Sequence, residues 1–157
     1  WFRLQEFTPT SLRTGLNAAQ PHLKKYILEA LAARNLSLRD LAIVGFSQGS
    51  MVALDMIFAL PNLGGIISYS GGFYPSETAL PHKPYPEILL VHGDADNVVP
   101  YNYFLEAEAQ LKKLGLSPQT LTCPGLGHSI DEEGLKAGGK FLTRLFAQEQ
   151  PVIHMKQ

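Results

Sequence analysis

Side chains of three types occur in this sequence in the order that acyl transfer through a serine would need. Ser47 lies between two glycines in Gly-Phe-Ser-Gln-Gly. The carboxylates Asp94 and Asp96 follow it, and His128 comes later, in Gly-Leu-Gly-His-Ser. A serine hydroxyl is a weak nucleophile until an imidazole accepts its proton and a carboxylate orients that imidazole. The sequence therefore predicts acyl transfer that begins with attack by a serine on a carbonyl carbon.

Each candidate residue lies just past an apolar run that is typical of a strand. The run 41–44 precedes Ser47, the run 88–91 precedes the two aspartates, and the run 120–123 precedes His128. Because functional sites of open parallel sheets form at the carboxyl ends of the strands, we expect these side chains to meet there. Nucleophile, then acid, then histidine is the order found in an α/β-hydrolase.

The context of Ser47 supports the same interpretation. An apolar strand leads into the G-x-S-x-G motif, and an apolar helical pattern leaves it. That combination is typical of a nucleophile elbow, in which the serine backbone is strained at a sharp turn. Gly45 and Gly49 would let strand and helix approach without Cβ clashes, and the helix amino end would favour negative charge near the hydroxyl.

Helices and strands alternate along the chain, which predicts a mostly parallel sheet with flanking helices and right-handed crossovers. The strands are expected at 41–46, 64–70, 87–92 and 118–123. The helices are expected around 16–34, 48–60, 101–114 and 129–148, with a proline-rich loop at 71–86 and a loose tail at 151–157.

Several local signals set the expected helix boundaries. Pro21 predicts an early turn or kink in the first helix, Asn35 its end, and Pro61 the end of the second helix. Residues 129–132, Ser-Ile-Asp-Glu, form a capping-box pattern for the last helix. The side chains of that helix expected to face inward are Leu135, Leu142, Leu145 and Phe146.

The motifs at 45–49, 92–100 and 125–129 resemble those of the phospholipase/carboxylesterase family, which includes acyl-protein thioesterases and small bacterial carboxylesterases. The resemblance runs from Trp1 to near Gln148, with one small departure at Ser50, where the family usually has a third glycine.

The resemblance implies a role for each candidate residue. Ser47 would be the nucleophile, Asp96 the acid and His128 the base. Asp94 is the rival acid, but the family pattern selects the last position of H-G-x-x-D. Asp94 lies nearer the strand end, where a carboxylate more often caps a turn.

An α/β-hydrolase also needs two backbone N–H donors for the developing oxyanion. The backbone N–H of Gln48 would be one, but the glycine-rich upstream loop that supplies the other has no counterpart before Ser47. We therefore expect residues 1–157 to form a single domain that is the carboxyl-terminal portion of a larger catalytic domain, lacking its N-terminal strands. An unpaired apolar edge is expected on strand 41–46 or on a neighbouring strand. We expect it to be covered by an upstream segment of the same gene product, by a cleaved fragment that stays bound or by a second copy of the chain.

Other residues have weaker signals. Phe73, Tyr74 and Leu126 flank the predicted site and are candidates for an acyl pocket, with simple packing as the alternative. His92 is expected to be structural. No metal-ligand spacing connects the other histidines, and neither a metal nor an organic cofactor is expected. These histidines are His22, His82 and His154.

Composition and charge narrow the classes of partner and location that we expect for this protein. With 13 basic and 14 acidic residues, the net charge of −1 gives no basic footprint for nucleic acid. No apolar run is long enough for stable membrane insertion, and no signal-peptide pattern begins the sequence. The single cysteine, Cys123, is expected to fill space at a strand end, and its isolation is compatible with a cytoplasmic protein.

The resulting hypothesis is a serine hydrolase that acts on small-molecule or lipidated esters or thioesters. One alternative is a non-catalytic fragment that binds acyl ligands or partners, because the upstream oxyanion loop is absent. A peptidase or a dienelactone hydrolase on the same fold is a weaker alternative. The latter would normally have cysteine at the elbow, where this chain has Ser47.

Overall fold

The computed structural model describes residues 1–3, 6–60, 62–81 and 83–147. Within them the helices are α1 (Pro9–Ala32), α2 (Gln48–Asp55), α3 (Asn102–Lys113) and α4 (Glu132–Ala147). The strands are β1 (Ala42–Phe46), β2 (Gly65–Tyr69), β3 (Glu87–Gly93) and β4 (Gln119–Cys123). Short 3-10 turns lie at Leu38–Asp40 and Met56–Phe58. Expectations for Pro61, His82, His154 and the tail 151–157 concern positions outside the described residues.

The described strands form one parallel sheet in the order β1-β2-β3-β4. Val44 lies beside Ile67, and Ile67 beside Leu89. Each predicted strand is present with its ends within one or two residues of the expected positions. The predicted parallel sheet with flanking helices is therefore confirmed. The apolar runs of the two central strands, β2 and β3, are buried on both faces of the sheet.

The alternating side chains of β2 and β3 divide the core into two layers. Ile66, Ile88 and Leu90 pack in a cluster with apolar residues of α1, α2 and α3. Ile67, Leu89 and Val91 face the other side and pack in a cluster that contains Phe141 of α4. Helices thus cover both faces of the central strands, and the sheet positions the loops at its carboxyl edge.

Helix α1 is longer than the apolar spacing predicts. It begins at Pro9, with the Thr8 hydroxyl oxygen accepting a 3.2 Å hydrogen bond from the Ser11 amide. Proline is favoured in a first helical turn because its missing N–H would have no partner there. The helix continues through Pro21, so the expected turn at that residue is wrong, and Asn35 lies just beyond the end with a φ of 54°.

Helix α2 is shorter than expected. It ends at Asp55 and continues as the 3-10 turn Met56–Phe58, whereas the sequence predicted one helix to residue 60. Asp55 is only 1% exposed, and its Oδ1 lies 2.7 Å from Arg13 Nη1 on α1. Its Oδ2 accepts a 2.7 Å hydrogen bond from the Gln20 side chain. The α2 end is therefore fixed against α1.

The start and the buried face of α4 both differ from the prediction. Asp131, not Ser129, caps the helix, because its Oδ1 accepts a 2.8 Å hydrogen bond from the Gly134 amide. Leu135 is 61% exposed and Phe146 is 38% exposed, so the inward assignment was wrong for both. Phe141 is the buried aromatic instead, and the other two expected residues, Leu142 and Leu145, do pack against its cluster.

One edge of the described sheet carries exposed apolar side chains. Strand β1 pairs with β2 alone among the described strands. Val44 is 54% exposed and Phe46 is 41% exposed. Unpaired N–H and C=O groups beside such side chains can template association with another chain.

In the described part of the chain, no helix is both long enough and apolar enough to cross a membrane.

The two adjacent glycines of α4 provide a matched test of this packing. A Cβ on Gly138 would overlap Tyr69 Oη, which donates a 2.9 Å hydrogen bond to the Gly134 carbonyl, whereas a Cβ on Gly139 would meet nothing within 4 Å. We expect Gly138→Ala to destabilise the fold by about 1–3 kcal/mol through this overlap. Gly139→Ala should stabilise it by about 0.5–1 kcal/mol, because alanine favours the helix. Urea unfolding of both variants measures the difference, and equal effects would contradict the packing described.

Candidate active site

Ser47 lies at the sharp turn between β1 and α2. Its φ of 55° and ψ of −122° are unusual for a residue with a side chain, as expected for a strained elbow. A Cβ added to Gly45 would lie 2.5 Å from the Gly49 carbonyl oxygen, so only glycine permits this approach of strand and helix. The fold therefore presents the serine hydroxyl at the carboxyl edge of the sheet.

His128 connects Ser47 to a buried carboxylate. Its Nε2 lies 3.0 Å from Ser47 Oγ, and its Nδ1 lies 2.8 Å from Asp96 Oδ2. An ionised carboxylate can only accept hydrogen bonds, so the proton on the neutral ring belongs on Nδ1 and leaves Nε2 free to accept. These three side chains come from segments far apart in the sequence and form one continuous hydrogen-bonded chain.

The Asp96 carboxylate is held by several donors. Its Oδ1 accepts 2.9 Å hydrogen bonds from the amides of Val98 and Val99. Burial by itself raises the pKa of Asp96, but the hydrogen bonds from His128 and from these two amides outweigh it, so the net pKa lies below its ordinary value. The carboxylate therefore stays charged at neutral pH although its side chain is 0% exposed.

Asp94 occupies a different position. It is exposed, and its Oδ1 accepts a 2.7 Å hydrogen bond from the Gly125 amide. That bond ties the loop after β3 to the loop that carries His128. A Cβ on Gly93 would overlap the Leu126 carbonyl oxygen, so glycine also permits the close approach of these two loops. Asp94 thus holds a turn, while Asp96 contacts the imidazole.

The amide of Gln48 follows the serine and begins α2. The first amides of a helix have no partner within the helix, so this N–H is available to a developing negative charge. The Gln48 side chain has another contact: its Oε1 accepts a 3.3 Å hydrogen bond from the Phe2 amide, and its Nε2 donates a 2.9 Å hydrogen bond to the Phe2 carbonyl. The amino-terminal segment is thereby fixed beside the elbow.

Comparison with known proteins agrees with this geometry. The profile of the Phospholipase/Carboxylesterase family matches residues 1–146. The chain belongs to this family. Acyl-protein thioesterase 1 of Neurospora crassa is 37% identical over 110 residues, which cover 66% of this chain and 45% of the relative. Acyl-protein thioesterase 1 homolog 1 of Dictyostelium discoideum is 28% identical over 155 residues, which cover 92% of this chain and 66% of the relative.

Two solved structures share the fold of this chain. The crystal structure of esterase PE8 matches with a TM-score of 0.83 and 32% identity, covering 92% of this chain and 68% of that one. A carboxylesterase of Bacillus cereus matches with a TM-score of 0.75 at 15% identity, which shows a shared fold. The chain spans about half to two thirds of the length of the two curated relatives described.

The residues suggested for an acyl pocket belong to different apolar clusters in this member of the Phospholipase/Carboxylesterase family. Phe73 is 6% exposed and stacks on Phe58 in the core. Leu126 packs against the cluster under α4. Tyr74 lines a cavity of about 600 Å³ between α1 and residues 74–78, which none of Ser47, Asp96 and His128 borders. The acyl pocket stays a prediction.

Two aromatic neighbours of the site were not singled out as site residues by the sequence. The Phe46 ring lies 4.8 Å from the His128 ring, centroid to centroid. The Nε2 of His92 lies 3.4 Å from Asp96 Oδ2. A period-two pattern along β1 places Phe46 on an exposed face but does not reveal its contact with a distant loop. The sequence shows His92 at a strand end but does not reveal its short distance to the carboxylate.

Two other residues considered in the sequence, Cys123 and His22, lie in positions that fit a structural or a surface role. Cys123 is buried, and burial followed by the nearby Asp131 raises the pKa of its thiol to about 11. It is therefore an uncharged thiol at neutral pH, in keeping with a space-filling role. His22 is exposed. Within the described ranges, no group of three metal-binding side chains comes together.

Proposed function

We propose that this protein is a carboxylic ester hydrolase that cleaves ester or thioester bonds through an acyl-enzyme on Ser47. The observation that carries the proposal is the hydrogen-bonded chain from Ser47 Oγ through the His128 ring to Asp96 Oδ2, with distances of 3.0 and 2.8 Å. Membership of a family whose curated relatives include thioesterases and carboxylesterases supports the same reaction class.

In the first half of the proposed reaction, Ser47 Oγ attacks the substrate carbonyl carbon while His128 Nε2 takes the hydroxyl proton. Asp96 stabilises the imidazolium that forms and keeps Nδ1 protonated. The Gln48 amide donates to the oxyanion. His128 then returns the proton to the leaving alcohol or thiol as the bond to the carbonyl carbon breaks.

In the second half, water replaces the leaving group. His128 removes a proton from the water as its oxygen attacks the acyl-enzyme, and the same proton then passes to Ser47 Oγ when the acid leaves. The cycle needs no metal or organic cofactor, since every proton is transferred by His128. The names of the curated thioesterase relatives support a thioester, including one on a lipidated protein, as a candidate substrate.

We also propose that further polypeptide covers the exposed edge of β1. The exposed Val44 and Phe46 support this, as does the shorter span of the chain relative to its curated relatives. The covering segment would come from the same gene product, as the rest of one catalytic domain, or from a second copy of the chain. It would also supply the second oxyanion donor, whose loss typically costs about 10²–10³ in turnover.

The identity of the nucleophile can be tested with a serine-directed fluorophosphonate. Ser47→Ala should abolish both covalent labelling and hydrolysis of a p-nitrophenyl ester, because Ser47 Oγ is the hydroxyl that the described residues place on His128 Nε2. Ser129→Ala is the matched control, since it removes an exposed hydroxyl next to the same histidine and should leave labelling intact. Labelling that survives Ser47→Ala would contradict the assignment. A full-length protein that is never labelled would favour the non-catalytic alternative.

The two aspartates should behave differently. We expect Asp96→Asn to lower kcat by about 10³–10⁴, because the amide no longer holds the required imidazole tautomer. Asp94→Asn should act mainly on folding, by about 1 kcal/mol, since its carboxylate accepts a hydrogen bond from the Gly125 amide. Steady-state kinetics corrected for the folded fraction distinguish the two effects. A larger loss of kcat in Asp94→Asn would mean that Asp94, and not Asp96, is the acid.

Expression of residues 1–157 alone tests whether further polypeptide covers the exposed edge of β1. We expect self-association by light scattering and turnover about 10²–10³ below that of the full-length protein. Val44→Lys should reduce the association, because it places a charge on the edge strand. Leu135→Lys replaces a similarly exposed residue on α4 and should not reduce it. A soluble monomer with full activity would contradict the proposal.

A further inference from the structure

His92 is a buried titratable residue that has no role in the proposed acyl-transfer steps. It lies near the carboxyl end of β3 and is only 2% exposed. The rings of Tyr101 and Phe104 pack beside it, with centroids 6.2 and 5.7 Å away. Burial of a histidine in such surroundings has a cost unless its ring nitrogens are hydrogen-bonded.

The protonation of the His92 ring follows from its partners. Nε2 lies 2.8 Å from the Val99 carbonyl oxygen, and a carbonyl can only accept, so Nε2 carries a proton. The same nitrogen lies 3.4 Å from Asp96 Oδ2. Burial, the largest influence, lowers the pKa of His92 and favours the neutral ring. The single N–H of the neutral ring therefore donates to the Val99 carbonyl of the 96–99 turn, and the ring touches Asp96 Oδ2 without donating to it.

This contact reaches the carboxylate oxygen that also binds the base. Asp96 Oδ2 accepts from His128 Nδ1 at 2.8 Å, whereas Oδ1 is taken by the amides of Val98 and Val99. Rotation of the carboxylate would break these bonds on both oxygens. Through its bond to the Val99 carbonyl, His92 holds the turn that supplies the donors on Oδ1.

We propose that His92 is a positioning residue for the acid of the triad, which fixes the orientation of Asp96 Oδ2 toward His128; this rests on the proposed function. It neither touches substrate nor transfers a proton. The amides of Val98 and Val99 lower the pKa of Asp96, and the N–H donor of His92 holds the turn that carries them. Removal of this donor should therefore raise the pKa of Asp96 from its lowered value.

The direction in which the pH dependence of activity should change follows from the groups around His92 and Asp96. Among the described residues, the titratable groups facing His92 are Asp96, His128 and Tyr101, while Asp96 faces both histidines and the turn amides. Asp96 must be ionised to stabilise the imidazolium. If its pKa rises, activity is lost at a higher pH as the solution is acidified, so the acid limb of kcat/KM moves upward in pH.

The test uses His92→Leu, which removes the donor, and His92→Gln, whose amide nitrogen replaces Nε2. In the full-length protein, we expect His92→Leu to lower kcat by about tenfold to a hundredfold with KM changed by less than about twofold. The acid limb should move to higher pH. His92→Gln should restore most of kcat and return the acid limb of kcat/KM to its original pH. Tyr101→Phe is the matched control, because it removes a nearby 2.7 Å hydrogen bond, to Thr122, without touching Asp96.

A second readout is independent of turnover. Carboxyl carbon NMR titration of Asp96 should give a higher pKa in His92→Leu than in the wild type, and a wild-type value in His92→Gln. Unchanged kcat and acid limb in folded His92→Leu, or a loss of stability alone, would overturn the proposal. So would an unchanged Asp96 titration. Absence of fluorophosphonate labelling in the wild type would instead refute the proposed function, and the NMR titration would still decide the role of His92.

Discussion

The buried carboxylate of Asp96 is the group on which the arrangement of this edge of the sheet depends. Its side chain is 0% exposed, and a charge removed from water is tolerated only when donors replace the water. Those donors come from the amides of Val98 and Val99 and from His128. The same bonds therefore shape the turn after β3, orient the imidazole and connect two neighbouring strand ends.

Ser47 imposes the second constraint, because its strained backbone must be held by bonds on both sides. The Ser47 amide donates a 2.9 Å hydrogen bond to the Tyr69 carbonyl at the end of β2. Its own carbonyl accepts from the amides of Ser50 and Met51 in α2, and the Ser50 hydroxyl adds a 2.9 Å bond. Sheet and helix thus support a conformation that costs about 1–3 kcal/mol in isolation.

Strand β1 has two functions that meet at Phe46. It leads into the elbow, and it is also an edge strand of the described sheet. The Phe46 ring is 41% exposed and lies against the His128 ring. Any polypeptide that covered this edge would therefore shield the imidazole from water as well. Exclusion of water strengthens the electrostatic interactions on which acyl transfer depends.

Local patterns in the sequence determined the strands, their parallel arrangement and the place of Ser47 and His128 at strand ends, because the buried strands of a parallel sheet require apolar runs. The tertiary structure alone decided which side chains meet there. Leu135 is exposed and Phe141 buried because Gly138 lets α4 approach Tyr69, a contact between distant segments. The hydrogen bond from His92 to the Val99 carbonyl is likewise invisible to periodicity. The partners of a buried polar group depend on distances between segments, which only the packed sheet sets.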